Sequence, residues 1–99
     1  MTLTEAAEAV IAVIDRDGWY QGPPPGGADT RVCLMWAMSR ATRESGRYDS
    51  ARVIYELEER MRPLAQAAGF PSVVDFNDSP RTTLEDVKLM IKRACDDAW

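Results

Sequence analysis

The sequence predicts an all-α protein: a compact, irregular bundle of four main helices in a single domain over residues 1–99, with a Gly/Pro-rich loop between helices one and two. Three observations carry this expectation. Apolar residues recur at steps of three and four, the spacing of one helical face, in separate segments of the chain. These segments have capping residues before them or glycines after them. No segment of four or more residues alternates as a strand does, apart from the brief "SVVDF" at 72–76. A chain of 99 residues buries roughly two-thirds of its unfolded surface, enough for one core without staples.

Helix one is expected from about Leu3 to Arg16. Thr2 and Glu5 are spaced as a capping box, and Leu3, Ala6, Val10, Val13 and Ile14 form the stripe. Gly18 stops it. After the loop, Asp29 or Thr30 can cap helix two, whose "VCLMWAM" is apolar on every side, so this helix is expected to be central and the most buried. Gly46 ends it. Asp49 or Ser50 begins helix three, striped by Ile54, Leu57, Met61, Leu64 and Ala68 and faced by Arg52–Glu56, Glu56–Arg60 and Glu58–Arg62 pairs. Pro63 is expected to kink or break that helix near 59–62, and Gly69 to close it. Ser72 caps a short turn at "VVDF". Thr82 with Glu85 then forms a capping box for helix four, whose stripe is Leu84, Val87, Ile91, Ala94 and Ala98.

Composition excludes more than it names. No apolar run approaches the ~20 residues that span a bilayer, and the N-terminal segment has acids where a secretion signal has bases, so a cytoplasmic protein is expected. In that compartment Cys33 and Cys95 read as free, small buried groups. The chain has no histidine, which removes Ser-His-Asp and Cys-His catalytic pairs and His-containing zinc sites. No metal and no cofactor are expected. The net charge of −4 opposes non-specific attraction to phosphates, so direct nucleic-acid binding is disfavoured.

The unusual stretch is "GWYQGPPPGG" at 18–27. Trp19 can pack on the end of the bundle while the Gln21 amide ties the loop backbone and Gly18 and Gly22 permit the turns. Asn77 and Asp78 can serve their own turn or cap helix four, and Arg81 can reach Asp75 or Asp78. A calcium loop over "DFNDSPRTTLED" fails at Pro80, where such a loop needs glycine. Cys33 near a helix start has the position of an activated thiol but no histidine to act as its base.

In order along the chain, "GWYQG", the Cys of "VCLMWAM", "VVDFND" and "RTTLEDV" resemble a small uncharacterised domain family of actinobacteria and their phages. Its pattern is G-W-x-Q-G, then C, then W/F-N-D, then R-T-x-E-x-V, and the likeness covers about residues 5–95. The resemblance supports the fold and implies that origin, with no assigned activity. The chain departs from the pattern at Phe76, at Trp36, by one extra residue in "RTTLEDV" and by the "PPPGG" insert.

The function expected by elimination is a non-enzymatic protein–protein interaction protein, phage-encoded, that acts on a host protein or associates with itself. Candidate contacts are Tyr20, Pro23, Pro24, Pro25, Tyr48 and Trp99, since rigid prolines and exposed aromatics bind at low entropic cost. A homodimer could share the apolar surface of Leu34, Met35, Trp36 and Met38. One alternative is a nucleic-acid-directed protein, either a helix-based binder using Arg40, Arg43, Lys88, Lys92 and Arg93 or an acidic mimic. Another is a small enzyme using Asp75 and Asp78, with a ligand pocket lined by Gln21, Asp75 and Asn77.

Overall fold

A computed structural model describes residues 1–96. Five helices follow one another: α1 (Leu3–Asp17), α2 (Leu34–Ser45), α3 (Ser50–Ala67), α4 (Val73–Asp78) and α5 (Leu84–Cys95). The all-α class and the four long helices are therefore as the sequence predicts, and the "VVDF" turn is itself a short helix. Its N-cap Ser72 accepts from the Asp75 amide. Among the described residues none of the helices is long and apolar enough to cross a membrane.

Helix two is not the central one. Both α1 and α3 pack against every other long helix, whereas α2 and α5 flank this pair and hardly meet. Ala6, Ala7, Val10, Val13 and Ile14 all turn inward from α1, because small and β-branched residues let neighbours approach on two sides. The apolar run of α2 divides instead: Leu34, Ala37, Met38 and Ala41 are buried, Met35 is half-buried, and Trp36 is exposed. One core cluster unites all five helices, with Val32 of the loop inside it.

The boundaries follow local chemistry. Thr2 and Glu5 form the expected capping box. Gly18 ends α1 at φ +88°, and a Cβ there would lie 2.9 Å from the Arg31 side chain, so the returning loop passes where only glycine leaves room. Beyond α3, the Phe70 amide bonds to the Ala65 carbonyl and the Gly69 amide to that of Gln66, the paired arrangement that closes a helix through a left-handed glycine.

Four expectations are corrected here. Pro63 does not break α3, which runs unbroken to Ala67; the proline is on the exposed side, and fully buried Leu57, Met61 and Ala65 hold both halves in the core. That same phase puts Ala65 inside and Ala68 outside. The capping box of α5 is Thr83 with Asp86, one residue beyond Thr82 and Glu85, because Thr82 is drawn inward and buried. On α3, Arg62 pairs with Glu59 at 2.7 Å rather than with Glu58.

Candidate functional site

Loop 18–33 leaves α1, bends at Gly22–Pro23, turns at Gly27–Ala28 and returns beside itself. The Tyr20 amide donates to the Val32 carbonyl at 3.0 Å and the Val32 amide to the Gly18 carbonyl at 2.9 Å. Two backbone bonds do not fix a loop of this length; the outgoing arm is also bonded to α4 and the turn after it, and the returning arm to α1 and α2.

Asn77 is the centre. Its side chain is 2% exposed and uses its full amide capacity. Oδ1 accepts from the Trp19 indole Nε1 at 2.7 Å and from the Leu34 amide at 3.0 Å. Nδ2 donates to the Tyr20 carbonyl at 3.3 Å and to Asp78 Oδ1 at 2.9 Å. Since Leu34 is the first residue of α2, Asn77 caps that helix from another element and satisfies an amide that would otherwise be orphaned. The N-cap residue, Cys33, satisfies a second: its Sγ accepts from the Trp36 amide at 3.4 Å. The expected cap at Asp29 or Thr30 is therefore displaced, and α2 starts later than predicted because residues 31–33 are extended alongside the outgoing loop.

Gln21 completes the clasp. Its Nε2 lies within bonding distance of the carbonyls of Asn77 (2.9 Å), Ser79 (2.6 Å) and Thr82 (3.1 Å), so two hydrogens serve three acceptors at the end of α4 and in the turn that follows it. The Gly22 amide donates to Asp78 Oδ1 at 3.0 Å. Trp19, Gln21, Asn77 and Asp78 thus join the loop to α4, a long-range role rather than the local turn chemistry the sequence suggested for Asn77 and Asp78.

Other sequence-predicted residues go elsewhere. Tyr20 is 8% exposed, a core residue and no surface contact; burial pushes its hydroxyl up to about 12, with the adjacent Cys33 thiol adding to the shift. Cys33 and Cys95 are half-buried rather than buried, and both are free thiols. Asp75 is exposed and accepts from its own cap, Ser72, away from the Gln21 amide, so the pocket of Gln21, Asp75 and Asn77 does not assemble. Arg81 reaches neither carboxylate; its guanidinium lies over the Phe70 ring, 5.6 Å from the centroid. Pro23 and Pro24 are exposed and Pro25 half-buried. Tyr48 is fully exposed in the turn between α2 and α3. Trp99, like Ala98 of the expected stripe on the last helix, lies outside the described residues.

The five cations of the nucleic-acid alternative are not gathered on one surface. Arg40 and Arg43 are on α2 and Lys88, Lys92 and Arg93 on α5, the two flanking helices. Arg40 pairs with Asp17 at 2.8 Å and Lys88 with Asp15 at 2.5 Å, two positions that project from opposite sides of α1.

Two clefts flank the clasp. One, about 220 Å³, is lined by Tyr20, Gly22, Pro24, Cys33, Met35, Trp36, Val74, Asn77 and Asp78. Trp36 at 50% exposure and Val74 at 48% form its open apolar edge. The other, about 470 Å³, runs between the end of α3 and α5, with Leu64, Phe70, Phe76 and Met90 in its walls and Arg81, Asp86 and Arg93 beside them. The sequence reading missed Val74, although its signal was present: adjacent valines on a helix point about 100° apart, so a short helix that buries Val73 turns Val74 outward. Among the described residues no cluster of three or more Cys, Asp or Glu side chains could hold a metal ion.

No curated protein and no solved structure matches the chain. Residues 1–97 match the model of a family of unknown function, DUF6197, and the chain belongs to that family.

Proposed function

We propose that this protein is a non-enzymatic interaction module that acts in the cytoplasm and docks another protein at the cleft between the proline loop, the first turn of α2 and α4. One observation carries the reading: Trp36 stands half-exposed on that first turn, sharing its cleft with Val74 and Pro24. A tryptophan on a rigid element is the strongest kind of interface anchor, and walls held in place before binding reduce the ordering cost of association. The clasp supplies that rigidity. The resemblance to a family of actinobacteria and their phages makes a host-cell protein the first partner class to examine.

Self-association is the weaker form of the reading. Of the four residues that could have shared a dimer surface, Leu34 and Met38 are spent on the protein's own core, leaving Met35 and Trp36. The test is affinity capture from an actinobacterial lysate with the wild type and Trp36→Ala, together with sedimentation across micromolar to submillimolar concentration. The reading expects a specific protein retained by the wild type and lost by the variant. Identical captures from both, or no capture with a monomer throughout, would overturn it.

A further inference from the structure

Within that docking reading, on which this inference rests, the cleft has a charge preference. Among the described residues that line it the only formal charge is the carboxylate of Asp78, with no lysine or arginine beside it in the lining. Asp78 is exposed, and Oδ1 is held by the Gly22 amide at 3.0 Å and the Asn77 Nδ2 at 2.9 Å. Those bonds orient the carboxylate and leave Oδ2 uncommitted among the described residues. Asp75, also exposed, adds a second acid on the same short helix, which carries no base. The base next along the chain, Arg81, is stacked on Phe70 and lines the other cleft. That other cleft has Arg81 and Arg93 together with Asp86, so it offers no single sign of charge.

The exposed aromatic surface in the same cleft is that of Trp36, with Val74, Met35 and Pro24 completing an apolar wall. An indole face beside an oriented carboxylate attracts a flat or compact cation whose stem is apolar. We propose that the cleft takes an arginine or lysine side chain of the partner protein, with its charge paired to Asp78 and its stem laid against Trp36 and Val74. Arginine fits better, because its planar guanidinium can stack on the indole while bonding a carboxylate edge.

The test uses small probes on the whole chain: N-acetyl-arginine amide and its neutral, similarly sized counterpart N-acetyl-norleucine amide. Binding is followed by the NMR shifts of the Gly22 amide and the Trp36 indole. The arginine probe should shift both signals saturably and bind at least about fivefold more tightly than the norleucine probe. Asp78→Asn keeps an Oδ1 acceptor for Gly22 and Asn77 while deleting the charge, so the fold should persist and the arginine preference should vanish. Equal binding of the two probes, an arginine preference that survives Asp78→Asn, or no shift with either probe would overturn the inference. The probe comparison on the unaltered protein decides the matter even if the variant fails to fold. Partner capture through Trp36 without an arginine preference would remove the cationic occupant and leave the docking function standing; arginine binding without a captured partner would do the reverse.

Discussion

The two arms of loop 18–33 are held by different physics. The outgoing arm, residues 19–22, is fixed by neutral amides, a buried aromatic and one carboxylate acceptor: Asn77 on Trp19 and Tyr20, Gln21 on three carbonyls, and Gly22 on Asp78. The returning arm, residues 29–31, is held by charge, through one half-buried ion pair and others that are exposed. Arg40 bridges the Thr30 carbonyl and Asp17, each at 2.8 Å, Arg31 pairs with Asp29 at 2.8 Å, and Arg16 joins Asp17 to Glu44. Burial makes the difference in consequence. A buried polar group that loses its partner keeps the full cost of its desolvation, whereas the members of an ion pair that water still reaches are largely rehydrated when the pair is broken. The clasp should therefore dominate stability although the charged arm has more ions.

Deleting the centre of the clasp would test this most severely. Asn77→Ala should cost about 3–5 kcal/mol in denaturant unfolding, since it orphans the Trp19 indole, the first amide of α2 and the Tyr20 carbonyl together. A loss of under about 1 kcal/mol would mean that water replaces the side chain and the clasp is not the stronger grip. Gln21→Ala comes next at about 1–3 kcal/mol, because its three acceptors lie in a partly solvated turn.

Titration separates the arms by direction. Tyr20 is pushed up to about 12, so above the ordinary tyrosine value the unfolded chain loses a proton that the fold retains. Its contribution is complete below about pH 10 and is lost as pH rises towards 12. Tyr20→Phe should flatten that alkaline limb in a difference curve against the wild type. Asp17 behaves oppositely: Arg16 and then Arg40 beside it hold its carboxyl well below the usual carboxylate range. The stability it contributes is present above that range and disappears as pH falls through the acid range. Asp17→Asn should have a smaller effect than Gln21→Ala at neutral pH, and ~0.5 M salt should reduce it. An Asp17→Asn effect that matches Asn77→Ala and persists in salt would collapse the distinction between the arms.

The smallest effect is expected at the cleft edge. Trp36→Ala should leave stability within about ±0.5 kcal/mol, since half of the ring is already in water, while removing partner capture. A large destabilisation would show that the ring packs as core and would withdraw it as an anchor.

Much of this protein is written locally in its sequence. Thr2 with Glu5, Gly18, Gly69 and the apolar steps of α1, α3 and α5 are decided within a few residues of themselves, by capping geometry, left-handed glycine and helical periodicity. Trp19, Gln21, Asn77 and Asp78 could be singled out by type and position, yet their partners could not. The contacts from Trp19 and Gln21 to the Asn77 region cross 56 to 61 positions of chain, and a side-chain amide bonds whatever the fold brings to it. For the same reason only the tertiary structure decided that Tyr20 is core, that Arg81 stacks on Phe70 and that Trp36 faces water. A pattern of apolar residues specifies that a face will be buried, but where two helices and a loop converge, packing volume and hydrogen-bond satisfaction choose which aromatic goes inside.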